Sequence, residues 1–200
     1  MLFSTKIRNF AQQLLITICF ITINNNNNNI QKQSFMIDVV KVASYIYNRY
    51  KEEKNEIIDE MKLHKLLYLS QRESIIRTGE PMFSEQFAAW IYGPVIVKIR
   101  NLYKNENLND LPTNTELSPY KESLDYVFQN YAIESSWSLS LLTHGESSWR
   151  NARKGLKRDE RCDNELELED IRKDAERMKM RRFYFDEIVP QLNKLRNAQK

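Results

Sequence analysis

The two histidines are the residues of this 200-residue chain with the greatest capacity for chemistry. His64 lies in an apolar stretch, and neither histidine has a cysteine or a second histidine at the spacing of a metal site. His144 is flanked by hydroxyl side chains, and an imidazole beside a serine can activate that serine as a nucleophile. No serine here is marked by a tight turn, and no third group of a triad is identifiable. We therefore predict no catalytic residue, no metal and no cofactor, and a hydrolase that uses His144 is the alternative.

A basic cluster near residue 150 is the second group that could bind a ligand. Five of the nine residues from 150 to 158 are cationic and none is acidic. These residues are Arg150, Arg153, Lys154, Lys157 and Arg158. They could contact phosphates while Trp149 stacks on a base, but acidic residues follow from Asp159 onward. We predict a solvated helix face or a surface for an acidic protein, with DNA binding as the alternative, because a net charge of +3 does not by itself imply nucleic acid.

The most unusual local sequence is Trp90-Ile-Tyr-Gly-Pro94. Large amphipathic aromatic side chains beside a rigid turn are frequent at binding hot spots. Gly93 can adopt backbone angles closed to other residues, and Pro94 fits a first helical turn, so we predict a helix from Pro94 to about Tyr103. We expect Trp90 to lie in the core and Tyr92 to be exposed for a binding role.

The elements that must position these residues are mostly helices. Apolar residues recur at helical spacing over 36–53 and about 60–77, and the second stretch is apolar nearly all round, which predicts a buried central helix. Gly79 and Pro81 should end it. Residues 83–91 alternate loosely and favour a short strand or hairpin arm. The predicted fold class is mainly α, a single compact helical domain with a small β-hairpin or short strand near 83–91.

Two further helices are predicted in the middle of the chain. Ser118 is a hydroxyl cap directly before Pro119, a combination typical of a helix start. A short helix follows over about 136–142. We expect Thr143 and His144 to end that helix and to fix the next turn through hydrogen bonds to backbone groups.

The last helical stretch has a start signal and an interruption. Asn164 is the predicted cap, with Glu167 three residues later as in a capping box. Pro190 should kink or restart the helix, because proline cannot donate the backbone hydrogen bond.

The first 35 residues differ in character from the rest. The apolar run Leu14–Ile23 is too short to span a bilayer as a helix and is followed by the asparagine run Asn24–Asn29, which cannot build a core. We predict that residues 1–35 are a disordered or non-native extension before Met36 and that 36–200 form the domain, with a signal peptide or membrane anchor as the alternative. The free Cys162 favours the reducing cytoplasm, and no membrane partner is expected.

Several motifs in the same order together resemble the SocA-like antitoxin domain, also called Panacea. The motifs are Met61-Lys-Leu-His-Lys-Leu-Leu-Tyr-Leu-Ser-Gln71, Gly79-Glu-Pro-Met-Phe83, Glu85-Gln-Phe-Ala-Ala-Trp-Ile-Tyr-Gly-Pro-Val95, Leu139-Ser-Leu-Leu-Thr-His144 and Trp149-Arg-Asn-Ala-Arg153. The resemblance covers about 36–155, with a looser match along the C-terminal helices 164–198.

The resemblance implies a non-enzymatic bacterial or prophage antitoxin that neutralises a cognate toxin by binding it directly, and in some cases by handing it to a protease. It carries over no catalytic residue. The signature positions that it carries over, as a structural centre or a binding surface, are Trp90, Tyr92, Gly93, Pro94, Thr143, His144 and Trp149. An autoregulator that binds DNA through the 150–158 cluster is the alternative function.

Overall fold

The computed structural model describes residues 36–197, and most of them are helical. The helices are, in chain order, α1 (Val39–Lys54), α2 (Glu60–Thr78), α3 (Val97–Lys104), α4 (Asn114–Leu117), α5 (Lys121–Tyr131), α6 (Ser136–His144), α7 (Ser147–Ala152), α8 (Leu168–Phe183) and α9 (Val189–Asn197). Strands β1 (Ala88–Trp90) and β2 (Gly93–Val95) form an antiparallel hairpin. The mainly α fold class with a small hairpin is confirmed. The predictions for residues 1–35 lie outside the described residues.

Helix α2 lies at the centre of this domain. Every side chain from Lys62 to Ile75 is buried, and the helix packs against α1, α5, α6, α8 and β2. Asp59 begins the helix by accepting a hydrogen bond from the backbone N–H of Lys62 at 2.9 Å, and Gly79 ends it with a φ of 81°. The predicted central helix is therefore confirmed. Because it is enclosed on all sides, its polar side chains must find partners inside the protein.

The hairpin replaces one predicted helix start. In β1 and β2, Ala88 pairs with Val95 and Trp90 pairs with Gly93. The expectation that Pro94 begins a helix is wrong, because Pro94 lies in β2 and α3 begins at Val97.

Side chains of α2 explain why the chain stays extended there. The Nζ atom of Lys65 donates to the Pro94 carbonyl at 3.1 Å, and the backbone N–H of Ile96 donates to Nδ1 of His64 at 3.3 Å. Gly93 has a φ of 105°, a value that side chains disfavour. These long-range contacts outweigh the local preference of Gly-Pro for a helix start.

Both predicted side-chain caps in the second half are wrong. Ser118 is not an N-cap but the C-cap residue of α4. The capping box is formed by Thr113 and Glu116, one turn earlier, and Pro119 lies in the 3-10 turn Ser118–Tyr120 that joins α4 to α5. Asn164 does not cap α8, whose N-cap position is Glu167 without a side-chain hydrogen bond.

Asn164 is held in a different role by the hairpin. The Asn164 carbonyl accepts from the Ala89 N–H at 2.7 Å, and the Leu166 N–H donates to the Phe87 carbonyl at 2.8 Å. The segment 164–166 therefore runs alongside β1. The side-chain amide of Asn164 donates to the carbonyl of Ala152 at 2.8 Å. The pairing with β1 keeps the chain extended until α8 begins.

Helix α7 receives its N-terminal cap from a distant helix. The carboxylate of Asp174 on α8 accepts from the backbone N–H groups of Ser147 at 2.8 Å and Ser148 at 2.9 Å. Beside it, the buried guanidinium of Arg72 on α2 pairs with Glu146. A charged group buried in a protein needs such partners, and these contacts fix α2, α7 and α8 to one another.

The C-terminal helix is interrupted as predicted. The π turn Tyr184–Ile188 joins α8 to α9 directly before Pro190. Proline has no N–H for the carbonyl four residues earlier, so the helix widens by one residue before it continues. Within residues 36–197, the helices are all too short or too polar to cross a bilayer.

The close approach of the hairpin turn to α2 and α6 is testable at Gly93. A Cβ atom there would lie 2.6 Å from Cε of Lys65 and 2.7 Å from Oγ1 of Thr143. We expect Gly93→Ala to lower the free energy of unfolding by about 3 kcal/mol, the sum of backbone strain and overpacking. Gly155→Ala is the control, because Gly155 has a similar φ of 87° with no atom of the described residues within 4 Å of the added Cβ. Equal losses in urea denaturation of the two variants would show that the close approach is unimportant.

Candidate functional site

The structure brings the signature residues of the hairpin together with those of α6 and α7. The first group lies between Trp90 and Pro94, and the second between Thr143 and Trp149. The indole N–H of Trp149 donates to the Trp90 carbonyl at 3.0 Å, and the Ser140 hydroxyl donates to the Tyr92 carbonyl at 2.9 Å. Thr143 is buried, and its hydroxyl donates to the Ser140 carbonyl at 3.0 Å. Residues far apart in the chain therefore hold the backbone of the turn from two sides.

Trp90 is not in the core as predicted, but half-buried at the edge of the hairpin. Its indole N–H donates to Oδ1 of Asp163 at 3.0 Å, and the guanidinium of Arg100 lies 4.9 Å from the ring centroid. Trp90 lines a cavity beside the hairpin, which accounts for its partial exposure. Two charged neighbours thus hold the indole in place where apolar packing would otherwise do so.

Tyr92 is exposed as expected, and it stands beside a second exposed aromatic residue. Tyr92 is 57% exposed and Trp137 on α6 is 66% exposed, and their rings meet edge to face with centroids 5.6 Å apart. Leu141, one helical turn after Trp137, is 74% exposed. We call Tyr92, Trp137 and Leu141 the aromatic patch. The sequence analysis missed Trp137, although an indole four residues before a leucine on a short helix was a readable signal.

His144 is held in a structural arrangement. Its ring stacks on Trp149 with centroids 4.0 Å apart, and burial lowers the pKa of its imidazole. Its Nε2 atom lies 3.5 Å from the Ser140 hydroxyl, which donates to the Tyr92 carbonyl instead. Both residues make the expected hydrogen bonds to backbone groups: Thr143 bonds to the Ser140 carbonyl, and the imidazole of His144 bonds to the backbone of Ile91. The absence of enzyme activity stays a prediction.

The basic cluster loses one member to the interior. Arg153 is 6% exposed, and its guanidinium donates to the carbonyls of Ala89 at 2.8 Å and Glu160 at 2.6 Å. Its charge also lies 5.2 Å from the ring centroid of Trp149. Arg153 therefore cannot serve as a phosphate contact, and the ring of Trp149 already has two partners, His144 and Arg153. The members that remain exposed are Arg150, Lys154, Lys157 and Arg158.

A cavity of about 640 Å³ opens beside the hairpin, which we call the α2 cavity. Among the residues that line it are His64, Lys65, Trp90, Tyr92, Arg100 and Arg161. Its volume lies in the range of sites that take small ligands or several side chains of a peptide. Within residues 36–197, no group of three His, Cys, Asp or Glu side chains is placed to hold a metal ion.

Two buried titratable groups form part of the wall of this cavity. Burial lowers the pKa of the Lys65 ammonium to about 7, although the carboxylates of Asp59 and Glu60 act in the opposite direction. Burial lowers the pKa of His64 to about 3, and the charges of Lys65 and Arg100 add to that effect. His64 is therefore neutral at physiological pH. Perturbed groups of this kind are typical of functional sites.

Lys65 makes the stability of the protein depend on pH. Its pKa is about 7 in the folded state and 10.5 when unperturbed, so between these values the unfolded chain binds more protons and the stability rises with pH. We expect Lys65→Met to be stabilising at pH 7 and to lose about 2 kcal/mol of that advantage by pH 9. Urea denaturation at the two pH values measures the difference. Leu66→Met is the control, because it changes no charge on the same helix. Its free energy of unfolding should differ from that of the wild-type protein by the same amount at pH 7 and at pH 9.

The comparison with protein families agrees with this geometry. Residues 63–150 match the model of the antitoxin SocA-like, Panacea domain. The match includes the hairpin, α3 to α6 and most of α2, and it therefore contains the aromatic patch and the cavity residues His64 and Lys65. No curated protein and no solved structure gives a significant match to the chain. Residues 63–150 are therefore similar to the antitoxin SocA-like, Panacea domain, in agreement with the resemblance in the sequence.

Proposed function

We propose that this protein neutralises its cognate toxin by binding it directly through the aromatic patch. The observation that carries the proposal is the exposed edge-to-face pair of Tyr92 and Trp137. Aromatic side chains that combine a large apolar surface with a polar tip dominate the energetics of protein interfaces. The family supplies a general antitoxin role, and the patch is the surface within the matched region that best suits a protein partner.

The backbone beneath the patch is fixed before any partner binds. The Ser140 hydroxyl holds the Tyr92 carbonyl at 2.9 Å, and the Ser135 side chain caps α6 by accepting from the Ser138 N–H. The hydroxyl of Ser136 also donates to the carboxylate of Asp59 at the start of α2. A partner would therefore order only the exposed side chains, which lowers the entropic cost of association.

The setting proposed for this function is the cytoplasm. Cys162 is a free thiol, in keeping with a reducing compartment. A protease that receives the toxin would add a second partner. This version of the proposal predicts that toxin levels fall when the antitoxin is expressed, whereas binding alone leaves them constant.

Truncation of the patch tests direct binding. The protein is co-expressed and purified with the product of the adjacent gene, and the dissociation constant is measured by calorimetry. We expect Trp137→Ala to weaken the complex about 30-fold or more and to abolish relief of toxicity, because central aromatic anchors carry most of the energy of an interface. Leu111→Ala is the control, since Leu111 is 52% exposed on the loop before α4. An unchanged dissociation constant for Trp137→Ala would assign binding to another surface.

The DNA-binding alternative rests on the four cations of the basic cluster that stay exposed. We expect no salt-sensitive mobility shift of the gene's own promoter, because Asp159, Glu160 and Asp163 follow the cluster directly. The pair Lys154→Ala and Lys157→Ala is compared with Lys51→Ala and Lys54→Ala at the exposed end of α1. A shift that only the first pair removes would establish the autoregulator.

A further inference from the structure

We propose that the α2 cavity binds a carboxylate of the partner polypeptide, carried by a segment with an apolar body. This inference rests on the proposed function, because it names the chemistry by which the toxin is recognised beside the aromatic patch. It follows from hydrogen-bonding groups in the cavity wall that the fold leaves unused.

His64 is the first of these groups. Its side chain is 1% exposed, and its Nδ1 atom accepts from the Ile96 N–H at 3.3 Å. In a neutral imidazole with Nδ1 as acceptor, the proton is on Nε2. That Nε2 atom is buried and has no hydrogen-bond partner among residues 36–197. His64 is one of the residues that line the cavity, and its Nε2 donor lacks an acceptor among the described residues.

Lys65 is the second group. It is also 1% exposed, and its one hydrogen bond to the described part of the chain is the 3.1 Å contact of Nζ with the Pro94 carbonyl. An ammonium has three protons to donate, and no carboxylate of the described residues lies within ion-pairing distance of this one. A buried cation with a single neutral partner is unfavourable, and an incoming anion would relieve that cost.

The acidic side chains of the cavity wall are already engaged. Glu60 pairs with Arg100 at 3.1 Å, and Asp163 accepts from the indole N–H of Trp90 at 3.0 Å. The cations of the lining, Lys65, Arg100 and Arg161, outnumber its two carboxylates. This pattern fits a carboxylate, which accepts only.

The position of the cavity identifies a polypeptide as the occupant. Tyr92 belongs both to the cavity lining and to the aromatic patch, so the two surfaces are continuous. The rings of Trp90 and Tyr92 line the cavity beside the donors, and a volume of about 640 Å³ exceeds that of a single side chain. A segment of the toxin lying on the patch can therefore continue into the cavity and place an Asp, a Glu or its own chain terminus there.

The test uses the full-length protein and a library of random 12-residue peptides displayed on phage. Selected peptides should carry an acidic residue or a free C-terminal carboxylate among apolar residues. For the best peptide, replacing the acid by its amide should weaken binding about 30-fold or more, as expected when one member of a buried charge pair is removed. Selection of peptides without a carboxylate would overturn the proposal, and this arm requires no variant.

A double-mutant cycle separates recognition from a structural role of the lysine. Lys65→Met should weaken binding of the acidic peptide by the same factor as the amide and should not weaken the amide further. Lys62→Met is the matched control, because Lys62 is a buried lysine on the same helix whose Nζ donates to the Tyr50 hydroxyl, away from the cavity. Independent, additive losses from Lys65→Met and the amide would overturn the proposal.

Two further outcomes distinguish this inference from the proposed function. Acetate or benzoate that competes with the peptide at equal concentration would identify a small carboxylate as the ligand and overturn the polypeptide. If Trp137→Ala disrupts the toxin complex and Lys65→Met does not, this inference is overturned and the proposed function stands. Peptides that bind through Lys65 while no toxin complex forms would leave the cavity site standing and reject the proposed function.

Discussion

The contact on which the site depends is the close approach of Gly93 to Lys65 and Thr143. The hairpin turn lies so near the central helix that no side chain fits at residue 93. This approach allows the ammonium of a buried lysine to reach the Pro94 carbonyl, and it places Thr143 of α6 close to the turn as well. One glycine thus joins α2, the hairpin and α6, and the aromatic patch, the cavity and the enclosed lysine all lie around it.

A second set of contacts fixes the rest of the domain to the same helix. Tyr68 on α2 bonds with the Ser148 hydroxyl at 2.9 Å and donates to Asp174 at 3.2 Å, which itself caps α7 from α8. Arg177 on α8 closes this network by donating to Glu146 at 2.8 Å. Buried polar groups cost free energy unless they are paired. The network is therefore favourable only when α2, α7 and α8 lie in the relative positions that allow these hydrogen bonds. The polar interior therefore specifies the arrangement of helices as well as stabilising it.

The sequence predicted those features that are decided within one or two turns of chain. Helix α2 was predictable because its apolar residues cover every face and because Gly79 follows. Several failures share a cause, since they occur where a distant group outweighs a local preference. Asn164 is a residue type that favours helix caps, but its backbone pairs with β1. Arg153 belongs to a basic stretch typical of a surface, but its guanidinium donates to the carbonyls of Ala89 and Glu160. The cavity could not be predicted, because its wall combines α2, the hairpin and the segment near Asp163.

The enclosed donors of α2 bear on specificity as well as on affinity. A methionine in place of Lys65 would fill the same space without burying an ammonium, so the lysine lowers stability at neutral pH relative to that alternative. The unsatisfied Nε2 atom of His64 is a similar cost. Such groups penalise any occupant of the cavity that brings no acceptor, because binding it would leave the same donors unpaired. An apolar surface such as the aromatic patch discriminates weakly among partners, whereas a buried lysine and histidine beside it reject those without a carboxylate. The combination therefore gives a small domain both a general contact surface and a selective one.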